Sequence, residues 1–171
     1  MAGIRVGSTG LAQTTSLDAS ATIFDGHVLL APVESNELMC LGLETGELVW
    51  KRPVDDLLLI GGVHGETVLS VGSGSLSAWD LRSGKPAWQE LSVPLPADAK
   101  TAGCGLLAGG HYYLPTTVPE ILEIDVASGR VVNRHPTESL PGNLIALGPL
   151  LISQSAAAIE AFGQAAPRSE K

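Results

Sequence analysis

Four histidines, His27, His64, His111 and His135, are the side chains best suited to hold a metal or to carry a proton. His27 and His111 each follow a glycine at equivalent places, just before a second apolar run, and His64 lies in the matching turn between them. Three histidines on one rim could converge on a metal. Their spacings lack the short ligand pairs of structural zinc sites, and no carboxylate repeats with them. They read as turn and strand-entry residues, and no metal is expected. Nucleophilic chemistry fares no better. Ser73, Ser75, Ser153 and Ser155 sit in strands or short turns without a G-x-S-x-G elbow. Gly72-Ser73-Gly74 lacks the helix start and the lysine of a phosphate loop. Asp80 and Asp125 read as turn residues, and Cys40 and Cys104, far apart and each in an apolar run, as buried thiols.

The element that positions these groups is a tight hairpin, clearest at Ala78–Trp88. Leu76, Ala78 and Asp80 alternate with Ser75, Ser77 and Trp79, the period of two that sends neighbours to opposite faces of a sheet. Asp80 can bond backbone groups a few residues on, Gly84 can take a positive φ, and Trp88 starts the return strand. The unit recurs at Gly46, Gly84 and Gly129, spacings that fit one blade of a β-propeller. A hydroxyl residue precedes each glycine: Thr45, Ser83, Ser128. An apolar residue stands at a fixed distance upstream: Leu38, Leu76, Ile121. Trp50 and Trp88 follow at a fixed distance downstream, and Asn133 takes the third place.

The chain therefore divides into four units, near 21–53, 54–93, 103–136 and 142–164, with a polar lead-in at 1–20 and a tail at 165–171. Short strands separated by Gly-rich turns, with no helical period, predict an all-β protein of about four four-stranded antiparallel blades, the last incomplete. Asp25-Gly26 between two apolar runs is a strong hairpin signal. Of the 171 residues, 44% are hydrophobic and 16% charged, the balance of a packed chain. The net charge of -8 argues against a nucleic-acid partner. There is no apolar run long enough to span a membrane as a helix. Met1–Val6 lacks the pattern of a secretory signal. That leaves a cytoplasmic chain or a signal on a segment not present here, and the compartment stays open.

The string Ala78-x-Asp80-x-x-x-Gly84-Lys85-x-x-Trp88 resembles, at all five specified positions, the tryptophan-docking motif of quinoprotein-type (PQQ-like) β-propeller repeats. The copy ending at Trp50 keeps Gly46 and Trp50; the copy starting at Glu123 keeps Asp125 and Gly129. The resemblance runs over about residues 20–164 and implies four-stranded blades with the tryptophan packed between neighbours. Members of that family usually close with seven or eight blades and often work in the bacterial cell envelope or periplasm. Four units then suggest one of three arrangements. The chain is part of a longer one, or an arc that pairs with a second copy into a homodimer of half-rings, or a small ring closed by Ile4–Val6.

The family also implies an enzyme hypothesis, a quinone-dependent dehydrogenase. Those enzymes need a full ring around the cofactor, a calcium or lanthanide held by Glu, Asn and Asp, an Asp base, and in many cases adjacent cysteines. None of these sets can be singled out here, so no cofactor and no catalytic residue are expected. The expectation is a non-catalytic module for protein–protein interaction or scaffolding within a larger bacterial protein; the alternative is a fragment of a quinone-dependent dehydrogenase. Loops after each last strand share a face with those between second and third strands. They carry Glu34, Glu37, Asp55, Asp56, Glu90, Asp98, Glu120 and Glu138, against Lys51, Arg52 and Lys100, which predicts a net acidic face: a solvated surface that keeps the chain soluble or, in the sharper reading, a candidate docking face for a basic or cationic partner. The Pro-rich stretch Leu91–Asp98 is the longest candidate contact loop.

Overall fold

The computed structural model describes residues 20–32, 35–54, 56–148 and 150–163. They form fifteen strands in four antiparallel sheets. The first holds β1 (Thr22–Phe24), β2 (His27–Leu30), β3 (Glu37–Gly42) and β4 (Leu48–Pro53) in sequence order. In the second are β5 (Leu57–His64), β6 (Thr67–Gly72), β7 (Ser75–Asp80) and β8 (Val93–Pro94). The third has β9 (Leu106–Ala108), β10 (His111–Pro115), β11 (Glu120–Asp125) and β12 (Val131–Pro136). The fourth has three: β13 (Asn143–Leu147), β14 (Leu150–Gln154) and β15 (Ile159–Gly163). This is the all-β architecture read from the repeat, short last unit included. Among the described residues no helix is long and apolar enough to cross a membrane.

Each sheet is a meander of strands in sequence order, its connections short except for residues 81–92 between β7 and β8. Asp25 and Gly26 both take positive φ, 43° and 73°, the geometry of a two-residue hairpin. The first strands β1, β5, β9 and β13 lie side by side, so the sheets fan out from a common axis. Among the described residues the four sheets stay separate, with no strand of the fourth paired to one of the first. Ile4–Val6 and residues 165–171 lie outside the described residues.

Two apolar layers hold the fan. Leu29, Leu38, Cys40 and Trp50 of the first blade meet Val68, Trp79 and Leu81 of the second. Leu69, Val71, Ala78 and Trp88 of the second meet Tyr112, Leu114, Ile124 and Val126 of the third. The second blade is thus apolar on both faces, as a sheet sandwiched between two others must be. Its fourth strand departs from the expected Pro86–Gln89. Pro86 bridges Trp79, Ala87 N–H still donates to Ala78 O at 2.8 Å, residues 88–92 leave the ladder with Trp88 buried, and pairing resumes at Val93 and Pro94 opposite Leu76 and Ser75. Proline is tolerated there because β8 is an edge strand. The expected loop Leu91–Asp98 is accordingly interrupted by a strand.

Candidate interaction surfaces

The joints between blades are built from the hairpin turns. In the second turn Gly84 N–H donates to Asp80 O at 2.8 Å, and Asp80 Oδ1 accepts from Ser83 N–H at 2.8 Å and from Ser83 Oγ–H at 2.5 Å. Asp125 accepts both groups of Ser128 in the same way, and Gly129 N–H donates to Asp125 O at 2.8 Å. The serine hydroxyl bond is the first cause holding each of these carboxyls below its ordinary range. In the first turn Gly42 replaces the aspartate, yet the backbone bond Gly46 N–H to Gly42 O, 2.8 Å, is kept.

An indole lies on two of these three turns. Trp50 covers Gly84, where a Cβ would fall 2.6 Å from the ring, and its Nε1–H donates to Leu81 O at 2.7 Å. Trp88 covers Gly129, 2.7 Å from a would-be Cβ, and donates to Val126 O at 2.8 Å. Only glycine leaves room for such a ring and takes the positive φ, 62° and 72°, that each turn needs. Arg52 adds Nε–H to Gly84 O at 2.5 Å. Ala78, 2% exposed, and Cys40, 0% exposed, are the small residues beside the rings. Burial pushes the Cys40 thiol up to about 11. Lys85 is exposed, and its carbonyl accepts from Asp80 N–H at 2.8 Å.

At the third joint the register brings different chemistry. Tyr113, Glu123 and Asn133 stand directly across from one another, where the first blade has Leu29, Cys40 and Trp50. Glu123 accepts from Tyr113 Oη–H at 3.3 Å, lies 2.8 Å from His135 Nε2, and is 3.9 Å from His111 Nδ1. Burial first, then the Glu123 charge, raises the Tyr113 phenol. Near the axis this joint is held by polar bonds: Cys104 N–H to Asn143 Oδ1 and Leu144 N–H to Cys104 O, both 2.9 Å. The sequence grouping of His27, His64 and His111 misses this cluster, because it follows position along the chain and not the cross-strand partner. His27 Nδ1 instead lies 2.7 Å from Asp25 O, and His64 packs near Gly110. Among the described residues no three His, Cys, Asp or Glu side chains form a metal-binding group.

The opposite end of the fan carries the connecting loops. Asp56, at φ 61°, ties the loop after β4 to the β6–β7 turn: its Oδ2 accepts from Ser73 N–H at 2.8 Å and Gly74 N–H at 3.2 Å. Thr101 Oγ1–H donates to Gly72 O at 2.7 Å, and Thr117 N–H to Lys100 O at 2.8 Å. Glu37 pairs with Lys51 at 2.9 Å. Glu120 takes a two-point contact from Arg134, 2.7 and 2.6 Å. Asp98 and Glu138 are exposed on this rim, and Glu90 is exposed on the bent segment of the second blade's outer edge. Glu34 and Asp55 lie outside the described residues. A cleft of about 810 Å³ opens between the third and fourth blades, with Thr101, Thr117, Leu140, Asn143, Gln154 and Ala156 in its walls.

Comparison with known proteins places this geometry. The family model described as outer membrane protein assembly factor BamB matches residues 3–149. No curated protein matches the sequence. Among solved structures, BamB from Moraxella catarrhalis is similar at a TM-score of 0.66 and 18% identity, over 81% of this chain and 43% of its own. The chain thus spans less than half the length of that relative. The computationally designed Ika4 protein is similar at 0.68 and 11% identity, over 95% of this chain and 99% of its own. Quinohemoprotein alcohol dehydrogenase ADHIIG from Pseudomonas putida HK5 is similar at 0.64 and 15% identity, over 84% of this chain and 29% of its own. At such identities the likeness is one of fold.

Proposed function

Because the chain belongs to the family of outer membrane protein assembly factor BamB, we propose that it is a non-catalytic propeller module that docks a protein partner within a larger bacterial assembly. The observation that carries this reading is the loop rim and its cleft. Loops from successive blades are tied to one another there, which gives a rigid, concave surface. The described residues of the cleft walls carry hydroxyl, amide and apolar groups and no charged side chain. Such a lining suits a backbone and uncharged side chains. It offers nothing to neutralise the carboxylates of a quinone such as PQQ. Around it Asp98 and Glu138 are joined by the cations Lys100 and Arg134, a mixed polar fringe that suits a partner carrying both signs of charge.

The test uses photo-crosslinking residues placed at Glu138 and Ala156 on the rim, with Glu90 on the outer edge as control. One protein species captured from the rim positions and not from Glu90 is the expected result. The alternative, a fragment of a quinone-dependent dehydrogenase, has the fold likeness to the alcohol dehydrogenase in its favour. Stoichiometric retention of PQQ by the purified chain, with no rim crosslink, would overturn the docking reading in favour of that alternative.

A further inference from the structure

The first two joints differ in one residue on the outer edge. In the first blade Arg52 stands across from Leu38, and Pro53 from Glu37. In the second, Val93 stands across from Leu76, the repeat equivalent of Leu38, and Pro94 from Ser75. Val93 therefore holds the place of Arg52. The link from Trp88 to Val93 is longer than the one from Trp50 to Arg52, and it brings Gln89 and Glu90 alongside.

Arg52 serves the turn it covers. Its Nε–H donates to Gly84 O at 2.5 Å and its Nη2–H to Ser83 O at 3.4 Å. The carbonyls of Gly129 and Ser128 hold the same places in the third blade's turn, and Gly129 matches Gly84 in φ, 72° against 62°. Among the described residues neither of these carbonyls accepts a hydrogen bond, and valine has none to donate. A cleft of about 460 Å³ opens beside them, with Trp88, Glu90, Val93, Ser128, Gly129 and Arg130 in its walls.

We propose that this cleft is a guanidinium site, which takes an arginine side chain of a partner protein where the first joint uses its own Arg52. The carbonyls of Ser128 and Gly129 supply acceptors for the planar fork, Val93 a surface for the aliphatic stem, and Glu90 the opposite charge. Arg130 lines the cleft as well. Lys85 stands in the same position beside Gly84, so a cation next to the turn does not keep a guanidinium off its carbonyls. Glu90, Ser128 and Arg130 are exposed, so the side chain enters from the outer edge without any blade moving. The inference shares with the docking-module reading only the premise of a protein partner; the surface is a different one. A crosslinking residue at Glu90 removes the carboxylate of this site, so that control stays silent under both.

The experiment titrates the isotope-labelled full chain with arginine blocked as its N-acetyl amide, and with lysine blocked in the same way. Saturable shifts of the Glu90, Ser128, Gly129 and Arg130 amides are expected at millimolar arginine. Lysine brings a point charge and no fork, so its shifts should be much smaller. Val93→Arg puts the first joint's own occupant into the cleft and should abolish the response. Glu90→Gln should weaken binding about fivefold, the worth of one exposed charge pair. It is an exposed change that leaves the fold intact, so it decides the matter even if Val93→Arg disturbs β8. Equal shifts with lysine, no shifts at Ser128 and Gly129, or an affinity unchanged by Glu90→Gln would each overturn the proposal. The probe is a small molecule, so failure here is distinguishable from failure of the rim crosslinks.

Discussion

At the first two joints the rows Leu29, Cys40, Trp50 and Leu69, Ala78, Trp88 press against the next blade, each residue buried to 6% exposure or less. At the third joint the same register holds Tyr113, Glu123 and Asn133, with Asn133 exposed. The apolar rows exclude water and place one indole bond against a carbonyl. The polar row puts a carboxylate among two histidines and a phenol, groups that keep their hydrogen bonds equally well in water. The fourth blade has few buried residues, Leu144 and Ser153 among them. One fold thus uses two kinds of joint: a clamp that burial makes strong, and a seam that hydration leaves weak.

The sharpest way to break this contrast is to truncate both. Trp88→Ala should destabilise by about 3–5 kcal/mol, through lost packing and a cavity over Gly129. Asn133→Ala should stay within about 0.5 kcal/mol, as an exposed change. Equal midpoint shifts in urea would erase the distinction. Next, Gly46→Ala and Gly84→Ala share the strain of a positive φ, roughly 1–2 kcal/mol. Only Gly84→Ala must also displace an indole, which adds roughly 1–3 kcal/mol. Thermal unfolding of the pair therefore measures how tightly the ring sits.

A smaller effect comes from the turn aspartates. Ser83 and Ser128 lower the carboxyl pKa of Asp80 and Asp125 in the folded chain. Their contribution is fully present above the ordinary carboxylate value of about 3.9 and is lost as pH falls through the folded values. Replacing both by asparagine should flatten the acid limb of the stability profile below about pH 4 and leave its slope at neutral pH unchanged. The smallest effect belongs to Arg82, which links Glu66 of its own blade at 2.7 Å to Asp25 of the first at 3.0 Å. Both pairs are solvent-exposed, so Arg82→Ala should cost little, and high salt should remove the difference.

The turns and clamps were legible in the sequence because their chemistry is local. A glycine that must take positive φ, a serine one residue before it and a tryptophan four residues after it can be read off a single stretch. The seam was not legible, because Glu123 meets Tyr113 and His135 only through cross-strand register, which the turn lengths set. The same reason splits the acidic face. Glu37 and Glu120 each find a cation fourteen residues on, across the third hairpin, so they are paired and not bare. The break in pairing over residues 88–92 was hidden as well, since Pro86–Gln89 alone reads as an ordinary return strand.

Cys40 gives the clamp a clock. Its sulfur sits 3.8 Å from Leu81 O, beneath the second blade, with no exposure to solvent. A thiolate-seeking reagent must wait for that blade to lift. Labelling should therefore run at the opening rate of the first joint, independent of reagent, once the reagent attacks faster than the joint recloses. One sulfur atom would thereby report how often, and not only how firmly, two neighbouring blades part.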